Sequence, residues 1–482
     1  MSLSIRSRPR VLAALVAAAL APAIAQAAPD DTLYGGGATL VGTAISGVSW
    51  FENFNPPQRG SLGDPGSLAG QYAASTVNTP FGFFTGTTSR PAISYCQTGS
   101  GRGKSVLNNV DAASDPCGTY ADAVDGFGAP AGRKADFAAT DSPYSSSEFN
   151  LFLTNEGANR TQPTQFPFVA AVLGVIYNNS DTPATPITLT EKKICGIFAG
   201  QITNWRQLNS SFPSKPITVV YRGDSSGTSF AFSNHLSAVC STDVGGNITG
   251  FKTSQTFGGT CSGATPMTCS GGSPAWPTAA PSGSIAASGN GSVTTTVSST
   301  DGAIGFADVA DTAERIKLNP SIQLKYAFVQ RQAGINPATG AAFKKFSPVN
   351  HPASFKLTNV LTDQVVSGID ANGRPVKVAL SNPPVPGCVL LADPDGYATA
   401  AVNASGDYTS YPIVGVSYFA AGATGNKQNT ANLRAFLFSP FTYGKAGTYS
   451  EGVTTMGAKS GYMYVTGLGR NMKDFITSCV KT

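Results

Sequence analysis

A continuous apolar run from Phe166 to Tyr177, closed by Asn178 and Asn179, constrains the fold more than any other stretch of the chain. A run with no polar alternation reads as a strand buried on both faces, and such strands lie in sheets covered by helices. The neighbouring segments agree with this. Leu33 to Ala44 and Ala135 to Ser142 have a strand-then-loop pattern, Ile217 to Tyr221 is a β-branched strand, and Phe230 to Val239 has helical spacing. Thr190 to Phe198 opens a further short helix. Strand, polar loop and helix recur, which predicts an α/β architecture with ligands at the strand C-termini. By contrast Gly258 to Ser299, rich in Gly, Ser, Thr, Ala and Pro, predicts loop with little core of its own.

At 482 residues the chain exceeds what one hydrophobic core sustains, so two lobes are expected. Hydrophobic residues at 41% against 12% charged exclude a disordered chain. Arg6, Arg8 and Arg10 precede an apolar run from Val11 to Ile24, and Ala25-Gln26-Ala27 supplies a small-x-small cleavage pattern. Residues 1–27 therefore read as a secretory signal peptide, which predicts a periplasmic or secreted protein. No later stretch has the roughly 20 apolar residues of a membrane span. Without the three leader arginines the formal net charge of +5 becomes +2, too weak a bias for a nucleic-acid partner.

Eight cysteines follow the leader, and an even count in an exported chain favours disulfides. Spacing offers Cys96 with Cys117, Cys195 with Cys240 and Cys261 with Cys269 as local staples, leaving Cys388 for Cys479, and does not fix the connectivity. The competing zinc reading lacks any CxxC pair and has only His235 and His351 to draw on, so no metal or other cofactor is expected.

Three loops carry the chemistry. Gly35-Gly36-Gly37-Ala38-Thr39-Leu40 lets backbone amides approach an oxyanion and adds a hydroxyl at Thr39. Thr98 to Ser105 resembles a nucleotide P-loop but fails it, because Thr98 stands where the first Gly must be. Ser100 and nearby amides remain able to hold a smaller anion. Arg222 to Ser229, between a strand and a helix, is the most informative. Arg222 presents a planar fork, Asp224 is placed to hold it, and Ser226, Gly227 and Thr228 bring hydroxyls and amides to a helix N-terminus. Its Gly-Asp-Ser is not a trypsin-like nucleophile, which needs a preceding His; the first His is His235.

Taken in order, Gly35 to Leu40, Tyr221 to Phe232 and Thr300 to Phe306 resemble motifs of the phosphate-binding proteins that feed ABC transporters and of their DING-type relatives. Gly99 to Lys104, Ala139 to Ser142, Cys195 to Trp205 and Tyr411 to Ile413 match too. The resemblance implies a two-lobed periplasmic binding protein fold of class II type, with the ligand cleft between α/β lobes joined by two crossing strands. One lobe would combine 28–164 with 411–482 and the other would be 165–410. It implies phosphate contacts from Thr39, Leu40, Ser100, Asp141, Arg222, Ser226, Gly227 and Thr228. Asp141 would accept a hydrogen bond only from a protonated oxyanion, which selects phosphate over sulfate. A Thr-Asp-Ser-Pro stretch is also a common helix cap. Residues 52–92 and 105–134 read as insertions, and 320–410 matches little.

The expected function is capture of inorganic phosphate by a monomeric, non-enzymatic receptor delivering to an ABC permease. The alternatives are a secreted DING-like binding or adhesive protein and a phosphatase on the same scaffold, which would have to use Asp141 with a water or Ser100.

Overall fold

The computed structural model describes residues 33–46, 60–61, 93–110, 127, 133–258, 260–262, 268–270, 275–277, 279–318, 321–352, 354–446 and 461–482. The leader at 1–27, Cys117 and most of 52–92 and 105–134 lie outside these residues.

The N-terminal part alternates strand and helix. β1 (Leu33–Gly37) turns at Thr39 and Leu40 into the short α1 (Gly42–Ser46), β2 (Ile93–Cys96) leads into α2 (Ser100–Leu107), and β3 (Phe137–Thr140) into α3 (Ser146–Arg160). Gly99 makes the turn into α2 at a φ of 91°, where a side chain would be strained. At α3 the Ser145 hydroxyl accepts from the Glu148 amide while the Glu148 carboxylate accepts from the Ser145 amide, a reciprocal cap. That arrangement removes the capping role considered for Asp141, because Ser145 fills it.

The apolar run forms β4 (Pro163–Tyr177), buried along its whole length. α4 (Glu191–Phe198) is capped by Thr190, and β5 (Thr218–Arg222) leads into α5 (Gly227–Val239), capped by Ser226. The stretch expected as loop differs from that expectation. Its second half is β6 (Ile285–Ala287) followed by α6 (Gly289–Ser299), which leads to β7 (Ala303–Asp308). Val293 and Val297, one turn apart amid Gly, Ser and Thr, are fully buried, so two apolar anchors seat a helix whose composition reads as loop. After the hairpin β8 (Gln364–Ile369) and β9 (Pro375–Ala379), the chain closes with β10 (Val414–Gly422), α7 (Thr430–Ala446), β11 (Tyr462–Thr466) and α8 (Met472–Cys479).

Apart from the β8–β9 hairpin, which is a sheet of its own, these strands join in one sheet along the path β6-β5-β7-β4-β10-β3-β1-β2, with Gly60–Ser61 at the outer edge and β11 pairing with β4 off that path. β1 is parallel to β2 and β3, and β5 to β6 and β7, so each lobe has its own parallel set. Between the sets run β4 and β10, antiparallel to each other and to their outer neighbours β7 and β3. These are the two crossing strands. Pro167 has no amide to offer the ladder, and the β10 register shifts beside it, between Ser417 and Tyr418. The loops that follow β1, β2 and β3 on one side, and β5 and β6 on the other, meet at this junction.

The 320–410 segment adds a tie between the lobes. Val366 in β8 donates its amide to the Tyr144 carbonyl at 3.2 Å, while at the hairpin tip the Thr253 amide donates to the Gly373 carbonyl at 2.8 Å. Arg374 beside it donates to Ser237 Oγ at 2.8 Å on α5. Disulfides join Cys195 to Cys240 and Cys388 to Cys479. Cys96 is also disulfide-bonded, and backbone pairing sets Cys261 opposite Cys269. No helix among the described residues is long and apolar enough to cross a membrane.

Candidate functional site

Arg222 ends β5 at the lobe junction, only 1% exposed. A buried guanidinium is costly unless its donors are met. Asp224 meets two of them, taking Nε at 2.7 Å and also Nη2, and the Gly289 amide donates to Asp224 Oδ1 at 3.1 Å. Nη1 points the other way, to Thr39 Oγ1 at 3.2 Å, Thr228 Oγ1 at 3.1 Å and Asn290 Oδ1 at 3.2 Å. One cation thus gathers hydroxyls from both lobes.

The first amides of α5, at Gly227 and Thr228, have no carbonyl to pair with inside the helix. Ser226 accepts from the Ser229 amide at 3.1 Å and keeps its own hydroxyl proton for another partner. Only glycine fits at 227, because a Cβ there would fall 2.4 Å from the Asp141 Cβ and 2.5 Å from Ser100 Oγ. The lobes touch here. Across the junction the Gly101 amide donates to the Ser225 carbonyl at 3.2 Å, so α2 and α5 bring their N-terminal ends together.

Asp141 follows β3 and is 1% exposed. Its amide donates to Ser100 Oγ at 3.0 Å, the Ser100 hydroxyl donates to Oδ2 at 3.3 Å, and the Ser417 hydroxyl donates to Oδ1 at 2.6 Å. Burial raises its pKa to about 7, against the lowering effects of the Ser417 hydrogen bond, the Arg222 charge, Ser100 and Lys104. Lys104, buried in α2, donates to Ser142 Oγ at 3.1 Å, the Pro143 carbonyl at 3.1 Å and Glu148 at 2.8 Å. Burial alone would raise the Glu148 carboxyl, yet the Lys104 charge and its hydrogen bonds hold it below the usual range. The loop carrying Asp141 is thereby tied to both α2 and α3.

All eight residues expected to contact the ligand are buried, and they come from four separate stretches of chain. Thr39, Ser100, Asp141, Arg222, Gly227 and Thr228 converge through the contacts above. Leu40 lies in the turn beside Thr39 with its carbonyl accepting from the Tyr462 hydroxyl at 2.6 Å, and Ser226 caps α5. Asp224 does hold Arg222. Sequence reasoning missed Ser417 and Asn290. Ser417 is signalled by a lone hydroxyl inside the apolar Val414–Gly422, and Asn290 by the Gly-Asn-Gly that opens α6. The site combines donors suited to an oxyanion with one carboxyl group, Asp141, that is purely an acceptor once it is ionised, above about pH 7.

A two-lobed α/β protein whose buried Arg222, Asp141 and hydroxyl groups gather where the two parallel strand sets meet is the class these features define. The chain belongs to the PBP superfamily, whose domain model matches residues 68–438. It is 28% identical over 272 residues to a Pseudomonas aeruginosa protein called alkaline phosphatase L, covering 56% of this chain and 64% of that one, under two thirds of its length. A phosphate-binding protein of unknown prokaryotic origin is 29% identical over 175 residues, or 36% of this chain and 42% of its own. Among solved structures, a high-affinity periplasmic phosphate-binding protein of DING type, bound with phosphate, superposes with a TM-score of 0.55 at 20% identity, covering 93% of both chains.

Proposed function

We propose that the chain is an exported solute-binding protein that captures inorganic phosphate in this interlobe cleft for ABC-type uptake. We assign residues 28–164 with 411–482 to one jaw and 165–410 to the other. The observation that carries the reading is a buried carboxylate, Asp141, set among the donors of Arg222, Thr39, Ser100 and Thr228. A site for any anion would omit it. Hydrogen phosphate brings a proton to the free lone pairs of ionised Asp141, whereas sulfate brings none and meets electrostatic repulsion once the pH exceeds the Asp141 pKa of about 7. Calorimetric titration with phosphate, arsenate and sulfate tests this. Tight binding of the first two with rejection of sulfate is expected, and equal binding of all three overturns it.

A phosphatase is the second reading, favoured by the likeness to alkaline phosphatase L. Its chemistry would have to rest on Asp141 with a water or on Ser100, and both are already engaged with each other. Turnover of a phosphomonoester by metal-free, highly purified protein, abolished by Asp141→Asn, would establish it.

A further inference from the structure

We infer that Asn290 is a ligand-binding residue in its own right, donating a hydrogen bond from Nδ2 to an oxygen of the bound oxyanion. The inference rests on the reading of the cleft as a phosphate site, and it adds a residue outside the set expected to touch the ligand.

Asn290 lies in the first turn of α6, 1% exposed. Its Oδ1 accepts from Arg222 Nη1 at 3.2 Å. A guanidinium cannot accept, so this contact fixes which end of the carboxamide faces Arg222 and leaves Nδ2 on the other side. Nδ2 is buried and finds no partner among the described residues. A buried NH2 left unmatched is rare because it forfeits the hydrogen bonds it had in water.

The place where that donor is left over is informative. The Nη1 atom that meets Asn290 also meets Thr39 and Thr228, two of the proposed ligand residues. Gly289, next to Asn290, is held by Asp224 through its amide, and a Cβ there would stand 3.9 Å from Thr39 Cγ2. The start of α6 is thereby locked into the wall of the cleft. Asn290 thus shares one guanidinium nitrogen with Thr39 and Thr228, and its unmatched Nδ2 is the donor left over beside them.

Charge makes such a neutral donor valuable. Arg222 is already paired with Asp224, and Asp141 adds a second carboxylate, so the cleft offers no surplus of positive charge. An anion bound there relies on oriented dipoles, of which the Asn290 amide is one.

The rival role is that Asn290 acts only by holding Arg222, and two variants separate the two. Asn290→Asp keeps an acceptor for Arg222 and removes the donor; Asn290→Ala removes both. Phosphate affinity is measured calorimetrically for the parent, each variant, and Asn290→Ala combined with Arg222→Ala, with unliganded thermal midpoints recorded as a check on folding. The expected result is about a tenfold loss for Asn290→Ala and a larger loss for Asn290→Asp. The Asn290→Ala loss should persist in the Arg222→Ala background. Parent-like binding by Asn290→Asp, or disappearance of the loss once Arg222 is gone, overturns the inference and leaves the phosphate reading standing. Failure of the parent itself to bind phosphate overturns both.

Discussion

Ser417 and Asp141 are 276 residues apart in the chain, yet the Ser417 hydroxyl donates to Asp141 Oδ1 at 2.6 Å. The contact joins a crossing strand to the loop after β3, because β10 pairs with β3 just where Asp141 begins. This hydroxyl is the strongest local influence opposing the burial that lifts the Asp141 pKa to about 7. Replacing it, Ser417→Ala, should raise that pKa further. The observable is the pH at which sulfate begins to compete with phosphate, which should move upward in the variant. An unchanged competition profile would mean that Asp141 does not read the ligand.

Asp141→Asn keeps the size, removes the charge and supplies an amide donor. Discrimination between phosphate and sulfate should shrink by tenfold or more, while phosphate still binds. Affinities for both ions in parent and variant give the ratio directly.

Stability should carry the same signature. The folded pKa of Asp141, about 7, lies above an unfolded value of about 3.9, so the folded protein binds more protons between those pH values. Its contribution is therefore fully present below about pH 4 and is lost as pH rises through about 7, by on the order of a few kcal/mol in total. Thermal midpoints of the unliganded parent, referred to those of Asp141→Asn at the same pH, should fall across this window. A flat difference would contradict the raised pKa.

Arg222→Ala removes the charged donor that links both lobes and leaves Asp224 without its partner. The expected cost is about 2 to 4 kcal/mol of phosphate binding, about thirtyfold or more in affinity. Arg222→Lys should restore only part, since an ammonium cannot reproduce the fork held by Asp224. Full affinity in Arg222→Ala would place the site elsewhere.

Loss of the bridge inside the 165–410 lobe should act on stability rather than on the site itself. The Cys195–Cys240 bridge closes 45 residues of chain, for which loop entropy gives about 4 kcal/mol. Cys195→Ala with Cys240→Ala should lower the thermal midpoint by several degrees and leave phosphate affinity near that of the parent. Thiol counting on the denatured parent should find no free sulfhydryl; two or more would break the argument for an exported, fully oxidised chain.

Much of this molecule was legible in the chain because the relevant physics is local. The apolar run in β4, the Ser145 and Ser226 caps, and the Gly/Ser loop after Arg222 each announce themselves within a few residues. Even the pairing of Asp224 with Arg222 needs only a separation of two positions. Where local signals were weak the reading failed. Helix α6 is built of Gly, Asn, Ser and Thr, poor helix formers, and it exists because Val293 and Val297 are buried beneath it by tertiary packing.

The sequence by itself determined which residues end strands and begin helices, and so which side chains stand at strand C-termini with donors to offer. Only the tertiary structure decided which of those ends face one another. Thr39 meets Arg222 across 183 residues, and Ser417 meets Asp141 across 276, because β10 inserts beside β4 in a sheet whose order does not follow the chain. Strand order is settled by the burial of whole faces and by crossover connections, not by any local propensity. For the same reason the raised pKa of Asp141 and the leftover donor of Asn290 are invisible in the chain: both are consequences of losing water when two lobes close over them.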